Sequence, residues 1–224
     1  MSEPLNKYGD QFKPTDDGHG VDIASQRQDE LDLASLAFIR DAKKPVMAVD
    51  LGGGFGAHAV RMAEAGADVT MIDIADMTTE NFKKTAVSGK LKFVQRDFAA
   101  LVPSEIPEDF AVLYSQRAIH YVPYDDAKKI LSMMFNRMAK GGAVFISAAG
   151  WDTEYGKTYP HRDRPVAERF DFVAPDMQAK HGIAHKIVTY REEELAALLK
   201  EAGFTDVKAT RSAFGNIKAT ARKP

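Results

Sequence analysis

Apolar residues along this chain gather into short runs separated by amphipathic stretches. The runs VMAVDL (46–51), DVTMID (68–73), LKFV (91–94), FAVLY (110–114) and AVFISA (143–148) are too short for buried helices and rich in strand formers. Between them, 57–65 and 124–139 carry the helical period, the second running to the pair Gly141-Gly142. Apolar strands that alternate with helices make a parallel sheet covered on both faces. The end of the chain departs from this rhythm: a helix at 191–203, a strand at 205–210, then 212–222 with no helix between. Two strands joined so closely pair antiparallel. The fold expected is therefore α/β, a doubly wound, Rossmann-like, mostly parallel seven-stranded sheet with an antiparallel last strand and helices on both faces. Upstream, Ile23, Leu31, Leu33, Leu36, Ala37 and Ile39 predict an amphipathic helix over 22–40. Residues 1–21, rich in Gly, Pro, Asp and Lys, read as a flexible arm or lid without a core of its own. Residues 22–224 are expected to form one domain.

Charge narrows the partners. With 30 basic against 32 acidic residues the formal net charge is −2, which gives no support to nucleic acid as a partner. The chain has no cysteine, so disulfides, thiolate metal sites and cysteine nucleophiles are excluded. That suits a reducing cytoplasm, the expected location. The polar start MSEPLNKYGD holds no signal-peptide apolar region, and no run approaches the ~18 apolar residues of a membrane span.

The chemistry centres on DLGGGFGAH (50–58), four glycines in nine positions directly after a predicted strand and before a predicted helix. In a doubly wound sheet this is where a ligand enters at the carboxyl ends of the strands, and glycine lets the backbone itself approach it. Asp73 ends the next predicted strand, near the ~20-residue spacing at which a carboxylate accepts both ribose hydroxyls. A nucleoside-containing ligand is implied. Gly52-x-Gly54-x-x-Ala57 also satisfies the relaxed dinucleotide fingerprint, so an NAD(P)-dependent oxidoreductase stands as the alternative enzyme. Asp50, just before the first glycine, favours a ligand with a cationic ammonium over a pyrophosphate.

Taken in series, VDLGGGFG, MIDI, QRDF, SQRAIHYVP and the antiparallel C-terminal pair resemble the class I S-adenosylmethionine-dependent methyltransferases over about residues 45–222. The resemblance implies in-line methyl transfer from S-adenosylmethionine to an oxygen or nitrogen of a small-molecule acceptor, with no metal. A protein that binds S-adenosylmethionine without transfer is the non-enzymatic alternative. The same resemblance gives Asp50 and the turn Gly52, Gly53, Gly54 and Gly56 to the methionine end of the cofactor. Asp73 and Ile74 go to the ribose and Asp97 to the adenine amine. Phe98 either lies against the adenine ring or fills the core. Tyr114, Ser115 and Gln116, after the fourth strand, are expected beneath the sulfonium and the acceptor, with Ser115 and Gln116 lining the site. Arg117 is either a lining residue or a solvated charge. Gly53 stands where the family often has a larger residue, so a slightly looser site is expected. His120 is the candidate base for a hydroxyl acceptor, or else packs under Tyr121.

Segment 150–187 is the least regular part of the domain and, by the resemblance, an acceptor-cover insertion. It brings Trp151 and Tyr155 as candidate acceptor-binding residues, and arginines 162, 164 and 169 either for an acidic acceptor or as solvated charges. HGIAH (181–185) has the i, i+4 histidine spacing of a zinc helix but lacks the adjacent glutamate and contains a glycine. The Tyr-x-x-x-Lys pattern in YDDAK (124–128) lies too near the glycine turn for a short-chain dehydrogenase. SQRA replaces the Asn/Asp-Pro-Pro-aromatic motif of amino-group methylation on adenine or glutamine.

Overall fold

The computed structural model describes residues 15, 17–20 and 23–224, so most of the arm expected at 1–21 lies outside the described residues. Seven strands form one sheet in the order β3-β2-β1-β4-β5-β7-β6. They are β1 (Met47–Leu51), β2 (Asp68–Asp73), β3 (Leu91–Gln95), β4 (Phe110–Gln116), β5 (Met138–Ala148), β6 (Thr205–Arg211) and β7 (Ile217–Arg222). The pairs among β1 to β5 are parallel, and β7 runs antiparallel to both β5 and β6.

Strand alternation sends successive side chains to opposite faces, and the two faces build two cores. Leu51, Ile72, Leu113 and Val144 pack with helices α4 (Tyr124–Arg137) and α7 (Glu192–Glu201). Ala48, Met71, Val112 and Phe145 pack with α1 (Glu30–Arg40), α2 (Ala57–Glu64) and α3 (Glu80–Ala86). No helix among the described residues is long and apolar enough to cross a membrane.

Several boundaries differ from the sequence expectation for local reasons. Helix α1 starts at Glu30, eight residues later than the apolar spacing suggested, because Asp29 caps it. Asp29 accepts the main-chain N–H of Leu31 and Asp32, and Asp32 accepts that of Asp29 in return. Helix α4 ends at Arg137, and β5 begins at Met138, ahead of the glycine pair, so the glycines lie within a strand. Residues 212–216 form the turn before β7. Segment 150–187 holds α5 (Glu154–Lys157) and α6 (Pro175–His181), and its Tyr159, Val173, Ile183 and Ile187 form a small core with Ala149. Arg169, expected at a ligand or in solvent, is instead 1% exposed. It donates to the carbonyls of Arg164 and Thr189 and to both carboxylate oxygens of Glu194.

Candidate active site

A cavity of about 1300 Å³ opens at the carboxyl ends of β1, β2 and β4. It exceeds the ~300–1,000 Å³ of a pocket for one small ligand, leaving room for two side by side. The glycine turn forms one wall. Gly52 takes a left-handed φ of +74°, its N–H donates to the Ile72 carbonyl (2.8 Å), and an added Cβ would stand 2.2 Å from Ala118 Cβ. Gly52→Ala is therefore expected to lower stability by roughly 1–3 kcal/mol and to weaken ligand binding, measured by urea titration and calorimetry. At Gly54, by contrast, no atom lies within 4 Å of an added Cβ, which would project into open space.

The other two turn glycines differ from expectation. An added Cβ at Gly53 would lie 2.6 Å from Met71 Cγ and 3.0 Å from Asp50 Oδ2, so Met71 fills the volume and the turn is not loosened. Gly56 caps α2 in a left-handed conformation against the Phe82 ring of α3, and is not part of the cavity lining. Its role is close packing between helix and neighbour.

Asp50 lines the cavity beneath this turn, buried, and its Oδ2 has no hydrogen-bond partner. Burial, then the negative charges of Asp73 and Asp32, push its carboxyl up to about 8. Asp73, at the end of β2, accepts the N–H of Gly54 through Oδ2 (2.8 Å) and that of Ala75 through Oδ1 (3.2 Å). Burial raises its pKa against those two bonds. A carboxylate offers about four acceptor positions, so two remain for a ligand's hydroxyls. Farther along the same wall, Ile74 lines the cavity, and Asp97 does so while accepting the Ala99 N–H through Oδ1 (2.8 Å). Phe98 lines the cavity and also belongs to the core.

Beneath the turn runs a buried polar network. The Tyr114 hydroxyl donates to Asp32 Oδ1, its ring stacks on His58 at 3.9 Å, and burial drives its pKa far up. His58, 3.2 Å from the same Asp32 oxygen, is pulled down to about 3 by burial and stays neutral. Gln116 lines the cavity and donates to Asp29 Oδ2 (2.7 Å), which also meets Lys218 Nζ of β7 (2.7 Å). Lys218 reaches Glu30 as well (2.8 Å), so the α1 start, β4 and β7 are tied together at the cavity edge.

Ser115 corrects the sequence expectation. Strand β4 continues to Gln116, and its alternation turns Ser115 away from the cavity, where its hydroxyl donates to the Leu51 carbonyl (2.9 Å). Arg117 does line the cavity; its backbone is left-handed (φ +56°), and its N–H donates to Ser147 O (3.0 Å) and Oγ (3.1 Å).

At the far end, His120 is buried with its Nδ1 accepting the Ala149 N–H (3.3 Å). A backbone N–H can only donate, so the proton of His120 sits on Nε2. Burial, helped by the Arg117 charge, pulls its pKa down to about 3. His120 thus presents a neutral N–H and is not suited to act as the base, a second correction. Tyr155 lines the cavity, its hydroxyl donating to Asn216 (3.3 Å). Trp151 does not: Arg191, Arg162 and Arg169 stand over its ring at 3.8, 4.3 and 4.9 Å, outside the cavity lining. Helix α6 ends at His181, and Gly182 is left-handed, so the two histidines of HGIAH do not share a helix face. His181 lies 3.2 Å from Glu154, whereas the ring of His185 stacks on His19.

Comparison with known proteins bears on the fold. A family model described as a methyltransferase domain matches residues 48–142. Over that stretch the chain is similar to methyltransferase domains. Among solved structures, it is similar to the 1,6-didemethyltoxoflavin-N1-methyltransferase of Burkholderia thailandensis, held with its substrate and S-adenosylhomocysteine (19% identity, TM-score 0.60, 87% of this chain and 78% of that one). An O-methyltransferase family protein of the same organism is similar at 15% identity and TM-score 0.58, over 86% of this chain and 56% of that one. Human N-acetylserotonin methyltransferase, in complex with S-adenosylmethionine, is similar at 19% identity and TM-score 0.54, over 85% and 51%. The chain thus spans little more than half the length of the last two. No curated protein sequence matches the chain.

Proposed function

We propose that the protein is an S-adenosylmethionine-dependent methyltransferase acting on an oxygen or nitrogen of a small-molecule acceptor. The observation that carries this reading is Asp50: a buried carboxyl whose Oδ2 has no hydrogen-bond partner, at the foot of a glycine turn. An unpartnered buried carboxyl is costly, and the α-ammonium of a methionine end would complete it. Gly52 to Gly54 let that end lie against the backbone, Asp73 accepts from the ribose, and Asp97 from the adenine amine. S-Adenosylmethionine, when bound, supplies a methyl group already activated by the sulfonium charge. The chain's own work is then alignment and exclusion of water, which together account for much of such a barrier. The covering segment 150–187 closes the acceptor side through Tyr155, Phe170 and Phe172.

Calorimetric titration with S-adenosylmethionine, S-adenosylhomocysteine and NADH in parallel tests the reading. Micromolar binding of the first two and none of NADH is expected; NADH binding alone overturns it. In the same assay Asp73→Ala is expected to lose roughly 1.5–3 kcal/mol of S-adenosylhomocysteine binding through the charge-assisted bonds to the ribose. An unchanged affinity would remove Asp73 from the site.

A further inference from the structure

Among the described residues, three other than glycine take a left-handed backbone: Asp109, Arg117 and Asp206. Aspartate tolerates that conformation because its short polar side chain bonds locally, whereas arginine gains nothing comparable. At Arg117 the strain has a visible result. Side chains alternate along β4, Gln116 facing the cavity and Ser115 facing away, so a continued strand would turn residue 117 away as well. The left-handed step breaks that alternation and puts Arg117 in the lining beside Gln116. Two bonds hold the step, from the Arg117 N–H to the carbonyl and to the hydroxyl of Ser147. Strain held in place by its surroundings clusters at ligand-binding positions. We propose that Arg117 anchors the acceptor and that the acceptor is an aromatic carboxylate, an inference that rests on the methyltransferase reading above.

The surroundings settle the charge. Burial dominates the proton affinity of His120, Tyr121 and Tyr155, lowering the first and raising the other two, and the Arg117 charge acts on all three. At Tyr121 it outweighs the opposite charge of Asp17. The potential at this end of the cavity therefore favours an anion. Other cations of the lining are already offset. Lys180 and His181 lie against Glu154, and Lys186 lies 3.5 Å from Asp171. One guanidinium then matches one carboxylate, whereas a phosphate dianion calls for more positive charge.

Shape supplies the rest of the class. Tyr121, Tyr155, Phe170 and Phe172 line this end with rings, which suits a flat aromatic body. The planar fork of a guanidinium takes both oxygens of a carboxylate at once and so fixes the plane of the molecule as well as its position. With both carboxylate oxygens engaged, the methyl group goes to a different oxygen or nitrogen of the acceptor. Arg117 is on this account an anchor that sets which molecules enter, and its removal acts on acceptor choice rather than on the cofactor.

The test titrates two fluorescent probes, anthranilate and its neutral amide anthranilamide, into the full-length protein saturated with S-adenosylhomocysteine. The wild type is expected to bind the carboxylate roughly tenfold or more tightly than the amide. Arg117→Gln should bring the two within about twofold, and Arg117→Lys, which keeps the charge without the fork, should fall between. Arg117→Gly separates anchoring from packing. Glycine takes the left-handed backbone freely, so its urea midpoint is expected to be no lower than that of the wild type while the preference is lost. A lowered midpoint with the preference intact makes Arg117 a packing residue and overturns the proposal. So does a wild type without the preference, a preference that survives Arg117→Gln, or phenyl phosphate displacing anthranilate at lower concentration than benzoate does. S-Adenosylhomocysteine affinity reports whether each variant is folded; its failure to bind the wild type overturns the methyltransferase reading instead.

Discussion

Asp50→Asn is expected to weaken S-adenosylmethionine binding by ~2–5 kcal/mol, the range for removing one partner of a buried charge pair. That is roughly thirtyfold to several-thousandfold in Kd. The substitution keeps the shape of the side chain, so the glycine turn and Met71 beside it have no reason to move. The same group gives a proton signature. Burial and the charges of Asp73 and Asp32 hold the Asp50 carboxyl at about 8, so in the unliganded protein near neutral pH it carries a proton. An arriving ammonium favours the carboxylate and drives that proton into the buffer. Calorimetry at pH 7 in buffers of different ionisation enthalpy is expected to show release of about one proton in the wild type and none in Asp50→Asn. Binding should tighten as pH rises toward 8.

Stability carries the opposite sign. Between the unfolded value near 4 and the folded value near 8, the folded state holds a proton that the unfolded state has released. Unliganded protein is then most stable at the acid end of this window. It loses up to ~1.4 kcal/mol per pH unit from this group as pH rises, and the Asn variant should show a flatter profile. Proton release that persists in Asp50→Asn would falsify the assignment of the ammonium to this carboxylate.

The second large effect is structural. Arg169→Ala is expected to lower unfolding free energy by ~2–4 kcal/mol, because it strips a half-buried carboxylate of its partner and two carbonyls of their donor. The carboxylate is Glu194 on α7, and the carbonyls belong to Arg164 and Thr189. One side chain thus joins the covering segment to the helix beneath it. Urea titration should show the midpoint falling with an unchanged slope. Arg169 does not line the cavity, so S-adenosylhomocysteine affinity should change far less than stability.

What the sequence reveals divides along physical lines. Strands β1 to β3 fall within a residue of the apolar runs, because the inner strands β1 and β2 are buried along most of their length and the edge strand β3 keeps its apolar side toward the core. The glycine turn, Asp50 and Asp73 are legible for a related reason: backbone geometry admits few residue types there. Periodicity fails where a polar contact decides. Asp29 stops α1 from extending upstream, and two more residues on β4 settle that Gln116, not Ser115, meets the cavity. The acceptor end was the least readable. Trp151 looks like a pocket residue by type, but guanidinium groups take its faces. Arg169 looks like a surface charge until Glu194, distant in sequence, comes beside it. His19 sits in a polar stretch whose alignment with residues 182–184 no local pattern encodes.

The order of strands also constrains how the protein is made. Strand β6 pairs only with β7, and β7 alone joins it to β5. During synthesis β6 therefore emerges before any strand exists to receive it, and it must wait for residues 217–222. Asp29 and Glu30 wait as well, since their cation, Lys218, is on that same strand. A nascent chain stalled before Lys218 would carry the complete glycine turn yet keep two neighbouring carboxylates uncompensated beside it. Non-local closure of this kind is slow. Its consequence is that a ligand-competent cavity is a late event, reached only when the final hairpin locks the first helix against the sheet.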